Sequence, residues 1–163
     1  MATDKHGGGL EGVIAGNTAI ATVGKEGKGL TYRGYSIHDL AEHSTFEEVA
    51  YLLIYGRLPK QAELEEYKAK LRALRVLPAH LRTVLELIPR SVHPMDVMRT
   101  GCSMLGTLEP EGPGHDQVAV ANRLTACFSA MLFYWHHFHE NGRRIDTETD
   151  DDTSAGHLLH LLH

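Results

Sequence analysis

Histidine offers the most chemistry in this sequence: 12 of the 163 residues are imidazoles. His157, His160 and His163 follow one another at intervals of three, and His136 and His139 repeat that interval. On a helix such residues share a face and can converge on one metal ion. Neither group forms H-E-x-x-H, neither contains a cysteine, and zinc takes three or four ligands. The adopted reading is helix-face histidines bonded to backbone or carboxylates, with no metal site expected. His93 and Asp96 lie on one helical turn, where a carboxylate strengthens an imidazole as a base. With no nucleophile beside them, they read as an N-terminal cap and a partner of the helix dipole.

Other chemistries find no motif. There is no G-x-S-x-G for acyl-serine chemistry, no G-x-x-x-x-G-K-[ST], and no strand-linked G-x-G-x-x-G for phosphates. The glycines of 24–29 fall at the wrong spacing and in a predicted turn. A net charge of −5, with basic residues scattered, argues against nucleic acid. The charge is local: residues 140–152 hold six acids and two bases, leaving the remainder near neutral. No apolar run approaches a membrane span. Cys102 and Cys127 sit in apolar patterns and read as buried reduced thiols.

The elements that must position these groups are mainly helical. Residues 1–9, with three glycines, read as a flexible lead-in and not as a secretory signal. The β-branched run 18–23, the turn 24–29 and the run 30–33 predict a small N-terminal β-hairpin. Ser36 to Asp39 forms a weak capping box opening a short helix. Thr45 to Glu48 forms a better one, with Phe46, Val49, Leu52 and Leu53 on the buried face and Gly56 as the stop. A helix over 61–75 buries Leu64, Tyr67, Leu71 and Leu74. Another runs between Pro78 and Pro89 with Leu81, Val84, Leu85 and Ile88 inward.

Pro94 suits the first turn of a helix reaching Leu108. Its interior Gly101 and Gly106 cost about 1 kcal/mol each against alanine, which predicts close approach of another helix. Residues 109–114 read as a loop. The longest helix spans 116–139, with Val118, Ala121, Leu124, Phe128, Met131, Leu132 and Trp135 as its buried stripe and Gly142 as its end. Asp150, Asp151 and Asp152 are expected to cap a last helix over 153–163. No Gly, Asn or Pro stops that helix, so the sequence reads as cut inside an element.

The residues themselves say more than their periodicity. Gly12-Val-Ile-Ala-Gly-Asn-Thr-Ala-Ile-Ala-Thr-Val-Gly24 is followed by Leu30-Thr-Tyr-Arg-Gly-Tyr-Ser-Ile-His-Asp-Leu-Ala41 and Phe46-Glu-Glu-Val-Ala-Tyr-Leu-Leu-Ile-Tyr-Gly-Arg-Leu-Pro59. His93-Pro-Met-Asp-Val-Met-Arg-Thr-Gly101 and Thr149-Asp-Asp-Asp-Thr-Ser-Ala-Gly-His-Leu-Leu-His160 continue the pattern. Together they resemble the N-terminal part of the citrate synthase family, in order, over about residues 10–163. Within the family, the opening Gly9-Leu-x-Gly-Val-x-Ala-Gly-Asn-Thr-Ala19, the H-P-M-D-V-M-R-T-G run and T-D-D-D are similar to the bacterial propionate-degrading branch.

The resemblance implies a mainly α, multi-helical large-domain portion over 10–163, belonging to a two-domain homodimeric acyltransferase. Its reaction would condense propionyl-CoA with oxaloacetate to 2-methylcitrate and CoA, with acetyl-CoA as the alternative. The CoA thioester is a substrate there, and no cofactor is implied. A bacterial cytoplasm is the expected location, a mitochondrial matrix the alternative. The family's two catalytic histidines and its aspartate lie in motifs downstream of T-D-D-D, of the H-G-G and G-H-x-V-Y types. None of those motifs follows T-D-D-D in this sequence, so no catalytic role passes to His93, His157 or His160, and the chain alone is expected to be inactive. The resemblance places the helix opening at His93 and the long helix after it at the dimer interface. Its candidate residues are Met95, Met98, Gly101, Cys102, Leu105, Phe128, Met131 and Trp135. A free-standing helical dimerisation module is the alternative from another functional class.

Overall fold

A computed structural model describes residue 13 and residues 16–22 and 29–163. The predicted lead-in over 1–9 and most of the turn at 24–29 lie outside the described residues. Among the described residues three short strands, β1 (Ala21–Thr22), β2 (Thr31–Tyr32) and β3 (Tyr35–Ser36), form an antiparallel sheet in the order β1-β2-β3. The first pairing, Thr22 opposite Thr31, is the predicted hairpin. The second, Tyr32 opposite Tyr35, adds a strand where a helix start was expected. Its two-residue turn places both Arg33 (φ 50°) and Gly34 (φ 90°) in the left-handed region, which matches the twist of paired strands. The Arg33 guanidinium donates to the Leu53 carbonyl at 2.9 Å and ties the sheet to the helices.

Seven helices follow: α1 (Ile37–His43), α2 (Phe46–Tyr55), α3 (Gln61–Ala73), α4 (Ala79–Leu87), α5 (Pro94–Leu108), α6 (Gln117–Asn141) and α7 (Ser154–Leu162). Their ends follow local chemistry. Ser36 caps α1 by accepting from the His38 amide, without the reciprocal bond of a capping box. Thr45 and Glu48 make the full box on α2, which Gly56 ends in a left-handed conformation. The His93 ring accepts from the Met95 amide at the start of α5, as expected of a cap. Gly142 closes α6.

The centre of the fold is α6, packed by α3, α4, α5 and α7. Leu81 and Leu85 of α4, Val97 and Leu105 of α5, and Met131 and Trp135 of α6 form the main core. Trp135 Nε1–H donates to the Ile88 carbonyl at 3.1 Å, so its polar edge is satisfied inside. At Gly101 an added Cβ would stand 2.9 Å from Met131 Sδ, the close approach that the sequence suggested. Gly106 has open space around it.

Three expectations need correction. The stripe of α6 is rotated: Asn122, Ala126, Cys127, Ala130, Met131, Phe133, Tyr134 and Trp135 are buried. Val118, Ala121, Leu124 and Leu132 are only half-buried, and Phe128 is exposed. A helix covered on several sides has no single apolar stripe to read. On α2, Phe46 is 56% exposed while its neighbour Glu47 is 2% exposed. On α7, Thr153 is the N-cap, accepting from the Gly156 amide at 3.0 Å, in place of the three aspartates.

Candidate functional site

The T-D-D-D segment and α7 meet α2 and the end of α3 around a set of buried charges. Arg75, just beyond α3, continues the inward spacing of Leu64, Tyr67 and Leu71. Its guanidinium therefore enters the protein, where it is 2% exposed. There it donates to the carbonyls of Thr149 (3.3 Å), Asp151 (2.7 Å) and Thr153 (3.2 Å), and to Thr149 Oγ1 at 3.4 Å. One rigid cation thus ties together three residues of the strap 142–153. From α2, the Glu47 carboxylate accepts the Ser154 amide at 2.6 Å. A carboxylate at a helix N-terminus meets both the free N–H groups and the positive end of the dipole.

His157 completes the set, at 1% exposure. Its Nδ1 lies 3.0 Å from Thr149 Oγ1, and its Nε2 is buried without a hydrogen-bond partner. Burial, with the Arg75 charge adding to it and Asp151 opposing, pulls the imidazole down to about 4. At neutral pH the ring is uncharged.

The strap is held elsewhere by ion pairs. Arg144 forms a bidentate bridge to Glu86 of α4 at 2.7 and 2.8 Å, and Tyr134 O–H donates to the same carboxylate at 2.7 Å. Those bonds hold Glu86 down to about 2. Asp152 pairs with Arg72 at 2.7 Å, and Asp151 with His160 at 3.0 Å.

Such partners account for three of the five regularly spaced histidines, His157, His160 and His139. His157 faces inward to Thr149, and His160 faces Asp151. On α6, His137 Nε2 lies 2.7 Å from the Leu161 carbonyl and His139 Nε2 lies 3.4 Å from that of Leu85. Among the described residues no three His, Cys, Asp or Glu side chains gather closely enough for a metal ion. Asp96 pairs with Arg99 at 3.1 Å. The two cysteines are free, and burial pushes the Cys127 thiol up to about 12. No acid–base pair sits beside a nucleophile in this cluster. Its evident work is positioning.

The interface candidates divide. Gly101, Leu105, Met131 and Trp135 are spent on the intramolecular core. Met95 is 69% exposed and Phe128 39% exposed, while Met98 and Cys102 are half-buried. A second apolar feature is a groove of about 580 Å³ lined by Phe46, Leu124, Phe128 and Leu158. Among the described residues no helix is long and apolar enough to cross a membrane.

A family model described as citrate synthase, C-terminal domain, matches residues 9–163. The chain belongs to the citrate synthase family. The 2-methylcitrate synthase of Shewanella oneidensis is 59% identical over 157 residues, 96% of this chain and 42% of that protein. The citrate synthase of Synechocystis is 35% identical over 158 residues, 94% of this chain and 39% of that protein. Among solved structures, the citrate synthase of Thermotoga maritima matches with a TM-score of 0.80 at 32% identity, covering 95% of this chain and 40% of that one. The chain therefore spans about two fifths of the length of these citrate synthase relatives. The multi-helical fold with a small antiparallel sheet at its start agrees with the family motifs read from the sequence.

Sequence reasoning missed Arg75 and Glu47. A signal existed for the first, since Arg75 stands four residues after Leu71 on the apolar face of the α3 pattern. None existed for Glu47, which also reads as an ordinary acid in a first helical turn. The hydrogen bond that buries it joins residues 107 positions apart.

Proposed function

We propose that residues 10–163 are the N-terminal portion of the large domain of a 2-methylcitrate synthase, with 1–9 as a lead-in. The full-length protein is then a bacterial cytoplasmic homodimer that joins propionyl-CoA to oxaloacetate. In that reaction the propionyl α-carbon loses a proton and bonds to the ketone carbon of oxaloacetate. Water then cleaves the thioester, releasing CoA and 2-methylcitrate. The observation that carries the reading is the contrast in identity: 59% to a 2-methylcitrate synthase against 35% to a citrate synthase, over nearly the same residues.

The catalytic His, His and Asp motifs expected of the family downstream of T-D-D-D are not found after Asp152 in these residues, so no residue of the chain takes a catalytic role. The chain's contribution is scaffold: α5 and α6 for the interface between protomers, and the Arg75 cluster to seat α7. The substrate assay is thiol release from propionyl-CoA or acetyl-CoA with oxaloacetate. The full-length protein is expected to prefer propionyl-CoA, and a preference for acetyl-CoA would favour citrate synthase instead. The 163-residue chain is expected to release no thiol above background. Any enzyme-dependent rate from it would overturn the assignment of catalysis to residues outside it.

A further inference from the structure

The cluster around Arg75 has the construction of a latch, and its weak point is His157. The neutral ring has one partner, Thr149 Oγ1, and one nitrogen that is buried alone. A protonated ring carries two N–H donors whichever nitrogen held the first proton. Thr149 Oγ1 can receive one of them, although it already faces the Arg75 guanidinium. The other donor would be buried with no acceptor, and a second cation would stand near Arg75. Both consequences penalise the packed state.

The surrounding charges have other neighbours, although Asp151 Oδ2 is buried beside the His160 ring without a hydrogen bond. From α2, Glu47 takes the Ser154 amide. From α3, Arg72 pairs with Asp152. From α6, His137 meets the Leu161 carbonyl. In the strap, Asp151 pairs with His160 of α7 itself, while Glu148 and Asp150 face solvent. None of these carboxylates hydrogen-bonds the His157 ring.

We propose that His157 is the trigger of an acid-sensitive latch: its protonation releases α7 and the strap residues 149–153 from α2, α3 and α6, while α4 and α5 stay folded and Arg144 keeps its bridge to Glu86. The direction follows from linkage. A ring held near 4 when packed and near 6.5 when released binds its proton in the released state, so acid favours release. The latch is closed above about pH 6.5 and weakens progressively towards pH 4.

Hydrogen exchange on the full chain tests this, with protection factors compared at pH 7 and pH 5. The amides of Leu158 and Leu161 should lose about twentyfold more protection than that of Leu85. In His157→Asn, whose amide oxygen can still accept from Thr149, the three should change together. Retained protection of α7 at pH 5, loss in step with α4, or the same selective loss in the variant would each overturn the proposal. Should the variant not fold, the wild-type imidazole can be titrated by NMR. Protonation near pH 6.5 with α7 still protected would overturn it equally, and a ring neutral down to about pH 5 until α7 opens supports it.

Discussion

At the scale of single residues, the most consequential side chain is Arg75. Its guanidinium satisfies three strap carbonyls in a place water does not reach. A buried cation is costly to desolvate, yet removing it leaves the carbonyls without donors. Arg75→Met should therefore destabilise the protein by about 3 kcal/mol, read from the denaturant midpoint at constant m-value. A loss under about 0.5 kcal/mol, the range of ordinary surface substitutions, would show that the strap does not depend on it. The exposed pairs, such as Arg57 with Glu63, are worth far less, because water and salt screen them.

At the scale of elements, α5 shows two uses of one residue type. Gly101 lets α6 approach, since a Cβ there would press on Met131 Sδ. Gly106 has nothing within 4 Å, so its cost in helix propensity has no return inside the chain. Gly106→Ala should then stabilise the isolated chain by up to about 1 kcal/mol, while Gly101→Val should destabilise it. Thermal melts of the two variants check this, and destabilisation by Gly106→Ala would reveal a packing partner for that face within the chain. Helix boundaries were the most legible elements in the sequence, because caps act within four residues: Thr45 with Glu48, His93 with Met95, and Gly142 at the end of α6. The third strand was less legible. Its Arg33-Gly34 turn is a weak local signal, and a two-residue strand shows no periodicity.

At the scale of the whole molecule, exposed apolar surface and partial coverage of the relatives belong together. Met95 and Phe128 face solvent on the two helices proposed to meet a second protomer. In the full-length protein, Met95→Glu with Phe128→Glu should weaken self-association at least about tenfold, since buried unpaired charge is poorly tolerated at an interface core. Sedimentation velocity over a concentration series reads this, and an unchanged dimer would place the interface elsewhere. The same double variant should melt normally as a monomer, because neither side chain supports the internal core.

The sequence by itself determined the helical class, most helix ends, the buried thiol of Cys127 though not the half-buried one of Cys102, and the family, because each rests on local spacing or on an ordered run of motifs. Only the tertiary structure decided which face of α6 turns inward, that Phe46 is outside and Glu47 inside, and that Arg75 and His157 share Thr149. These depend on partners from 8 to 107 residues away, and on one central helix being covered from several sides at once. Such an arrangement leaves no simple periodic trace in the chain, because several faces of a centrally packed helix meet different neighbours.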